Sequence, residues 1–144
     1  MDIGELQRQH RELSVTASQL ARAIADDAVR QSVGALRWQL ARQLMTHLAL
    51  EDRIFYPGVQ RAGDDHARRT ASRLQTEMGP LAEAFSAYMA RWSDDRVSRE
   101  WAGFCAETRE LLDVLASRIE KEDRILYPLV DSNRASAARI SRTA

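Results

Sequence analysis

The chain has 144 residues, enough for one domain with a buried core, and its 21 basic and 21 acidic residues give a formal net charge of zero. This balance gives no electrostatic reason to expect binding to nucleic acid or to an anionic membrane surface. The single cysteine, Cys105, excludes an intramolecular disulfide, and no apolar run is long enough to span a membrane. With an acidic N-terminus unlike a signal peptide, the chain is expected to be soluble and cytoplasmic.

Three Asp-Asp pairs mark the junctions between predicted helices. Aspartate is favoured at a helix N-cap and in the first helical turn, so the pairs that begin at Asp26, Asp64 and Asp94 indicate four helices. The predicted helices cover residues 2–25, 29–61, 66–92 and 96–131. The composition between the junctions is helix-forming, and no run has strand character. We therefore predict an all-α, antiparallel up-down-up-down four-helix bundle over residues 1–131, followed by a disordered tail over residues 132–144.

Each predicted helix carries at least one ionisable residue on its apolar face. These residues are His10, His47, Glu51, Glu77, Arg118 and Glu122. Short loops make consecutive helices antiparallel neighbours, which should bring the two histidines to one level and Glu51 opposite Glu77. Buried charge is costly unless it is paired or bound to metal, and three carboxylates outnumber one guanidinium. One or two divalent ions would neutralise the excess, and imidazole with carboxylate suits iron, manganese or zinc.

A segment of the second helix is repeated in the fourth. Residues 46–59 read THLALEDRIFYPGV, and residues 117–130 read SRIEKEDRILYPLV. In the first copy His47 precedes Glu51 by one helical turn, so both can bind one metal ion from a single helix face. In the second copy Arg118 takes the place of the histidine, and arginine is not a metal ligand.

Arg118, Tyr56 and Tyr127 are expected beside the metal ligands rather than among them. Arg118 can clamp Glu122 or Glu77 and take the place of one metal, or it can extend outward and cover the site. The two tyrosines, each followed by proline, can pack where the helix ends meet or donate a hydrogen bond to a ligand carboxylate. The residues alone leave these alternatives open.

The chain resembles the hemerythrin-like, or HHE cation-binding, domains over residues 2 to about 130. The residues that carry the resemblance are His10, His47-x-x-x-Glu51 followed by Tyr56-Pro57, and Glu122 followed by Tyr127-Pro128. The resemblance implies a four-helix bundle that holds two non-haem irons bridged by carboxylates, with these His and Glu residues at ligand positions. Two positions depart from the family pattern. The third helix has Glu77 in place of a histidine, and Arg118 replaces the last histidine.

The resemblance implies a metal-binding protein that senses or handles iron, O2, NO or peroxide. The expected metal ligands are His10, His47, Glu51 and Glu122, which match the family pattern, and Glu77, which is included for its place on the apolar face of the third helix. They are expected to hold one or two ions of non-haem iron, with manganese or zinc as alternatives. The departures argue against the reversible O2 binding of histidine-rich sites. One alternative is a carboxylate-rich di-iron oxidase or peroxidase. Another is a metal-free bundle in which Arg118 and the carboxylates form an ion network, with a role in protein interaction; a protein partner or a homo-oligomer stays open.

Overall fold

The structure, a computed structural model, describes residues 2–143. It describes the side chains of these residues except 136, 137 and 140–143. Its helical segments are α1 (Ile3–Ala23), α2 (Gly34–Leu50), α3 (Tyr56–Ala62), α4 (Asp65–Met78), α5 (Leu81–Arg91), α6 (Asp94–Arg99), α7 (Trp101–Lys121) and α8 (Tyr127–Thr143). Two π-helical turns, Glu51–Phe55 and Glu122–Leu126, join α2 to α3 and α7 to α8. The described residues form no strand, which confirms the all-α prediction.

All the segments except the short α6, which packs against α7, form the four arms of an antiparallel bundle. The first arm is α1, the second runs from α2 to α3, the third from α4 to α5, and the fourth from α7 to α8. The first arm packs along the second and the fourth, and the third packs against the other side of both. The predicted four-helix bundle is therefore confirmed. Within the described part of the chain, no helix is both long enough and apolar enough to cross a membrane.

Two apolar clusters make up the core, and a layer of polar side chains separates them. Along the first arm Leu6 belongs to one cluster and Leu13 to the other, with His10 between them. Along the fourth arm Leu115 and Leu126 belong to different clusters in the same way. Each fully buried leucine contributes about 1.5–3 kcal/mol to stability. The core on both sides of the polar layer is thus built mainly from apolar side chains.

The helix starts follow the expected capping chemistry at two of the three junctions. The Asp64 side chain accepts a hydrogen bond from the Ala67 amide, and the Ser93 side chain accepts one from the Arg96 amide. At the first junction Asp26 instead accepts from the Ala28 amide inside the loop, which is a local turn rather than a cap. The second arm consequently starts at Gly34, later than predicted.

The third arm is interrupted, whereas the sequence predicted one continuous helix over residues 66–92. Helix α4 ends at Met78, Gly79 has a φ of 69°, and Pro80 precedes α5. A positive φ suits glycine, and proline has no N–H for the helical hydrogen-bond ladder. The helix therefore stops at the Gly-Pro pair and restarts at Leu81.

The last helix continues into the segment that was expected to be a disordered tail. Helix α8 extends to Thr143, so the described part of residues 132–144 is helical, and Ala144 lies outside the described residues. This segment contains neither Gly nor Pro, and its alanine and arginine residues favour helix. The division into a bundle over residues 1–131 and a separate tail stays a prediction.

Candidate metal centre

Each π turn begins at the glutamate of one repeat copy. A π turn inserts an extra residue into the helical register, and such turns frequently occur at functional sites. The insertion moves Phe55 and Leu126 into the core, where they are 2% and 0% exposed. Ile54 and Ile125, which regular helical spacing places inward, are 47% and 39% exposed instead. The repeat therefore encodes the same local widening of the helix at both glutamates.

Four of the predicted ligands form one buried cluster. His10, His47, Glu51 and Glu122 are each at most 2% exposed, and one ligand atom from each lies within 4.8 Å of all the others. The Nε2 atoms of the two histidines are 3.0 Å apart. Glu51 Oε1 lies 2.6 Å from His47 Nε2, and Glu122 Oε1 lies 3.2 Å from His10 Nε2. The expected convergence of these four side chains on one layer is confirmed.

The other ring nitrogen of each histidine is held by a hydrogen bond. His10 Nδ1 donates to Asp123 Oδ1 at 2.8 Å, and His47 Nδ1 donates to Gln9 Oε1 at 2.6 Å. The Gln9 amide nitrogen donates to Glu5 at 3.4 Å, which turns its oxygen towards the imidazole. In neutral histidines this pattern leaves both Nε2 lone pairs facing the cluster, as metal-binding histidines require.

Gln9 and Asp123 were not identified from the sequence. Asp123 belongs to the repeated Glu-Asp-Arg-Ile segment, which is a signal that could have pointed to it. Gln9 adjoins His10 in the sequence but bonds to a histidine on another arm, and no sequence spacing predicts that contact.

The inner carboxylate oxygens have no hydrogen-bond donor of their own. Glu51 Oε1 and Glu122 Oε1 are buried and unsatisfied among the described residues. Burial raises the pKa of both carboxyls, and for Glu122 the charge of Glu51 raises it further. Two carboxylate oxygens and two imidazole nitrogens therefore face one another as acceptors. A divalent cation can satisfy all four together, so the donor set fits a metal ion.

The outer carboxylate oxygens are held by the two tyrosines, each acting on the other repeat copy. Tyr56 Oη donates to Glu122 Oε2 at 2.7 Å, and Tyr127 Oη donates to Glu51 Oε2 at 2.9 Å. Burial and the neighbouring carboxylates raise the pKa of both phenols, which keeps them protonated as donors. Both expectations for these residues are met, because their rings also pack in the apolar cluster against Phe55. Each glutamate is thus fixed through one oxygen and presents the other to the cluster.

Arg118 contacts both carboxylates of the cluster rather than extending into solvent. It is 5% exposed. Its Nε donates to Glu122 Oε2 at 3.3 Å, and its Nη2 lies 3.6 Å from Glu51 Oε1. The same Nη2 donates to Asp52 Oδ1 at 3.4 Å. The guanidinium therefore lies beside the outer oxygen of Glu122 and the inner oxygen of Glu51.

The two halves of the repeat differ in their capacity to bind metal. Leu81 lies as far before Arg118 in the sequence as His10 lies before His47, so Leu81 is the counterpart of His10. One half supplies two imidazoles, whereas the other supplies a leucine and an arginine. The cluster is consequently asymmetric, because one half of the repeat contributes metal-ligating nitrogens and the other contributes a fixed positive charge.

Glu77 lies outside the cluster, and the prediction that it converges with the other carboxylates is wrong. Its side chain is 47% exposed and lies 3.9 Å from Arg73 and 3.7 Å from Lys121. The buried face of α4 passes through Leu74, and the next inward position in this last turn belongs to Met78, which is half-buried. The expected facing of Glu51 and Glu77 depended on an uninterrupted third helix, whereas α4 ends at Met78.

In the metal-free protein, the free energy of unfolding is expected to fall as the pH rises from about 5 to 7. The folded pKa values of Glu51 and Glu122 are raised above 4.5, so the folded chain keeps protons that the unfolded chain has released. His10 acts in the same direction above pH 6.5, because although burial lowers its pKa, the carboxylates of Glu122, Asp123 and Glu51 together raise it by more. His47 opposes the trend, since burial lowers its pKa to about 4.

Urea unfolding at pH 5 and pH 7 with a chelator present measures this slope. Glu122→Gln should reduce it, because one of the carboxyls responsible is removed. Equal or greater stability at pH 7 in the unsubstituted protein would contradict the expected linkage.

One family model matches the chain, and it covers nearly the whole bundle. The model described as Hemerythrin HHE cation binding domain matches residues 1–130. This range contains the four clustered residues and both copies of the repeat. No curated protein and no solved structure matches significantly.

Proposed function

The chain belongs to the hemerythrin HHE cation-binding domain family, and from that premise we propose that it binds one non-haem iron through His10, His47, Glu51 and Glu122. The observation that carries the proposal is the set of four buried acceptors that face one another with their outer atoms already hydrogen-bonded. Two imidazoles with carboxylate are a donor set typical of non-haem iron. Manganese and zinc can bind the same donors and are the alternative ions in any metal analysis.

The position of Arg118 favours a single ion over two. The guanidinium lies beside the same carboxylates that a second ion would have to share, and Leu81 supplies no ligand on that side. This arrangement argues against the carboxylate-rich di-iron oxidase.

We propose that the centre senses or handles a small molecule such as O2, NO or peroxide. Bound iron would supply a redox-active centre at which such molecules bind. The chain's own contribution is a site enclosed between two apolar clusters, which limits access of water. Tyr127 Oη lies 3.3 Å from His10 Nε2 as well as 2.9 Å from Glu51 Oε2, so a phenol proton is held at the edge of the cluster. Arg118 adds a fixed positive charge beside the carboxylates of Glu51 and Glu122.

Removing the metal is expected to lower the melting temperature without abolishing the helical circular dichroism signal. A ligand bound only by the folded state at a hundredfold excess over its Kd stabilises by about 2.7 kcal/mol. That amounts to a shift in melting temperature on the order of 10 °C for a domain of this size. The apolar clusters on both sides of the layer should keep the metal-free bundle folded.

Anaerobic titration with Fe(II), combined with metal analysis and thermal unfolding, tests the proposal. One iron per chain and a melting temperature that falls on chelation are the expected results. A chain that binds no divalent metal would instead favour the closed network of Arg118 with the carboxylates, and an interaction role. Complete unfolding by chelator alone would contradict the metal-independent core.

A further inference from the structure

A second polar feature lies away from the metal layer, where α2 begins. A pocket of ≈ 450 Å³ opens between residues 30–34, the start of α2 and the α6 segment. Arg37 lines it and lies ten residues before His47 on the same arm, about 15 Å away along the helix. None of the residues assigned to the metal centre contributes to this pocket.

Arg37 is a buried cation with incomplete compensation. It is 2% exposed, and its Nη2 donates to the Trp92 carbonyl oxygen at 2.7 Å. Its Nε and Nη1 have no hydrogen-bond partner among the described residues. Among the described residues its ion-pair partner is Asp94. Asp94 Oδ1 lies 3.7 Å from Arg37 Nη2, and the Asp94 side chain is 83% exposed. A buried charge that lacks close partners is destabilising unless an additional anion approaches it.

Aromatic rings supply part of the missing compensation. The Arg37 guanidinium carbon lies 5.4 Å from the Phe104 ring centre and 5.8 Å from that of Tyr88. Ring faces attract a cation more weakly than a hydrogen-bonded counter-charge does in a buried setting. The rings therefore hold the guanidinium in place but do not neutralise it.

The N-terminus of α2 opens into the same pocket without a cap. Helix α2 has 17 residues, no side-chain hydrogen bond caps it at Val33, and its first turn contains no acidic residue. The free N–H groups and the positive end of the helix dipole favour an anion at this point. Gly34, the first residue of the helix, lines the pocket, and a Cβ added there would meet nothing within 4 Å. Arg30 also lines the pocket and donates to the Ser98 carbonyl oxygen at 2.7 Å.

We propose that this pocket binds a small tetrahedral oxyanion of the phosphate type. The oxyanion accepts hydrogen bonds from the first N–H groups of α2 and supplies the counter-charge that Arg37 lacks. The exposed Asp94 carboxylate is the competing anion, and its exposure leaves it free to turn away. This site is independent of iron, so the proposal stands or falls separately from the metal centre.

Amide chemical shifts, recorded while inorganic phosphate is added at constant ionic strength against chloride, test the proposal. Saturable shifts at the amides of residues 34–37 are expected. Arg37→Met should weaken phosphate binding at least about tenfold, the size expected for losing a charge-assisted partner. Arg11→Ala, which removes an exposed arginine from α1, should leave phosphate binding unchanged.

A pair of substitutions at Gly34 tests the site without removing a buried side chain. Gly34→Asp places a carboxylate in the pocket, and it should raise the melting temperature and weaken phosphate binding at least about tenfold. Gly34→Asn has the same shape without the charge and should keep phosphate affinity close to that of the unsubstituted chain. Equal phosphate affinity in the Asp and Asn variants would overturn the proposal, as would shifts at residues 34–37 that chloride reproduces.

Discussion

Glu122→Gln is expected to abolish stoichiometric iron binding, whereas Glu77→Gln should leave it unchanged. Both glutamates are predicted ligands in the sequence, but only Glu122 presents a buried carboxylate oxygen to His10, at 3.2 Å. An amide keeps the size of the side chain and removes its negative charge. Altering a group that merely supports a ligand costs about 10–100-fold in metal affinity, so loss of the ligand itself should cost at least that much.

The fold of the Glu122 variant should survive the substitution. Burial raises the pKa of this carboxyl, so its ionised form opposes folding in the metal-free chain near neutral pH. The metal-free variant should therefore melt at the same temperature as the parent or higher, and loss of iron cannot be attributed to unfolding. Parallel Fe(II) titrations of both variants and the parent give the result. Unchanged affinity in Glu122→Gln, or lost affinity in Glu77→Gln, would show that the ligand assignment is wrong.

Most of the candidate site could be predicted from helical spacing because the relevant residues follow the helical period up to the start of each π turn. His10 and His47 continue apolar faces of the first two arms, and the structure buries both. Glu122 was located through the repeat, since its relation to Tyr127 copies that of Glu51 to Tyr56. Periodicity and internal repetition are local properties of the chain, so both could be read without coordinates.

The remainder depends on departures from regular helix and on contacts between arms. Glu77 was misplaced because Gly79 and Pro80 end the helix that was to bring it inward. Arg37 was overlooked because hydrophobic spacing places Leu36 inward, while the structure buries the arginine beneath aromatic rings. The hydrogen bond from His47 to Gln9 joins different arms. Such contacts are set by side-chain packing in three dimensions, which spacing along one helix does not encode.

Arg118→His is expected to raise the iron content towards two ions per chain. At about 4 Å and an effective dielectric constant near 20, two unit charges repel by about 4 kcal/mol. A guanidinium in contact with Glu122 and Glu51 therefore lowers the affinity for a second cation at these carboxylates by about a thousandfold. Histidine removes most of this charge at neutral pH and restores the spacing to Glu122 that His47 has to Glu51.

A neutral substitution separates the loss of charge from the gain of a ligand. Arg118→Met also removes the repulsion but supplies no imidazole, so it should stay near one iron per chain. Adding Leu81→His to Arg118→His supplies the counterpart of His10 and should bring the content closest to two. Metal analysis of identically loaded proteins, with the visible absorption of a di-iron centre after exposure to air, measures the effect. If the parent chain already holds two irons, Arg118 does not replace a metal, and its contacts with Glu51, Asp52 and Glu122 would serve to orient the carboxylates.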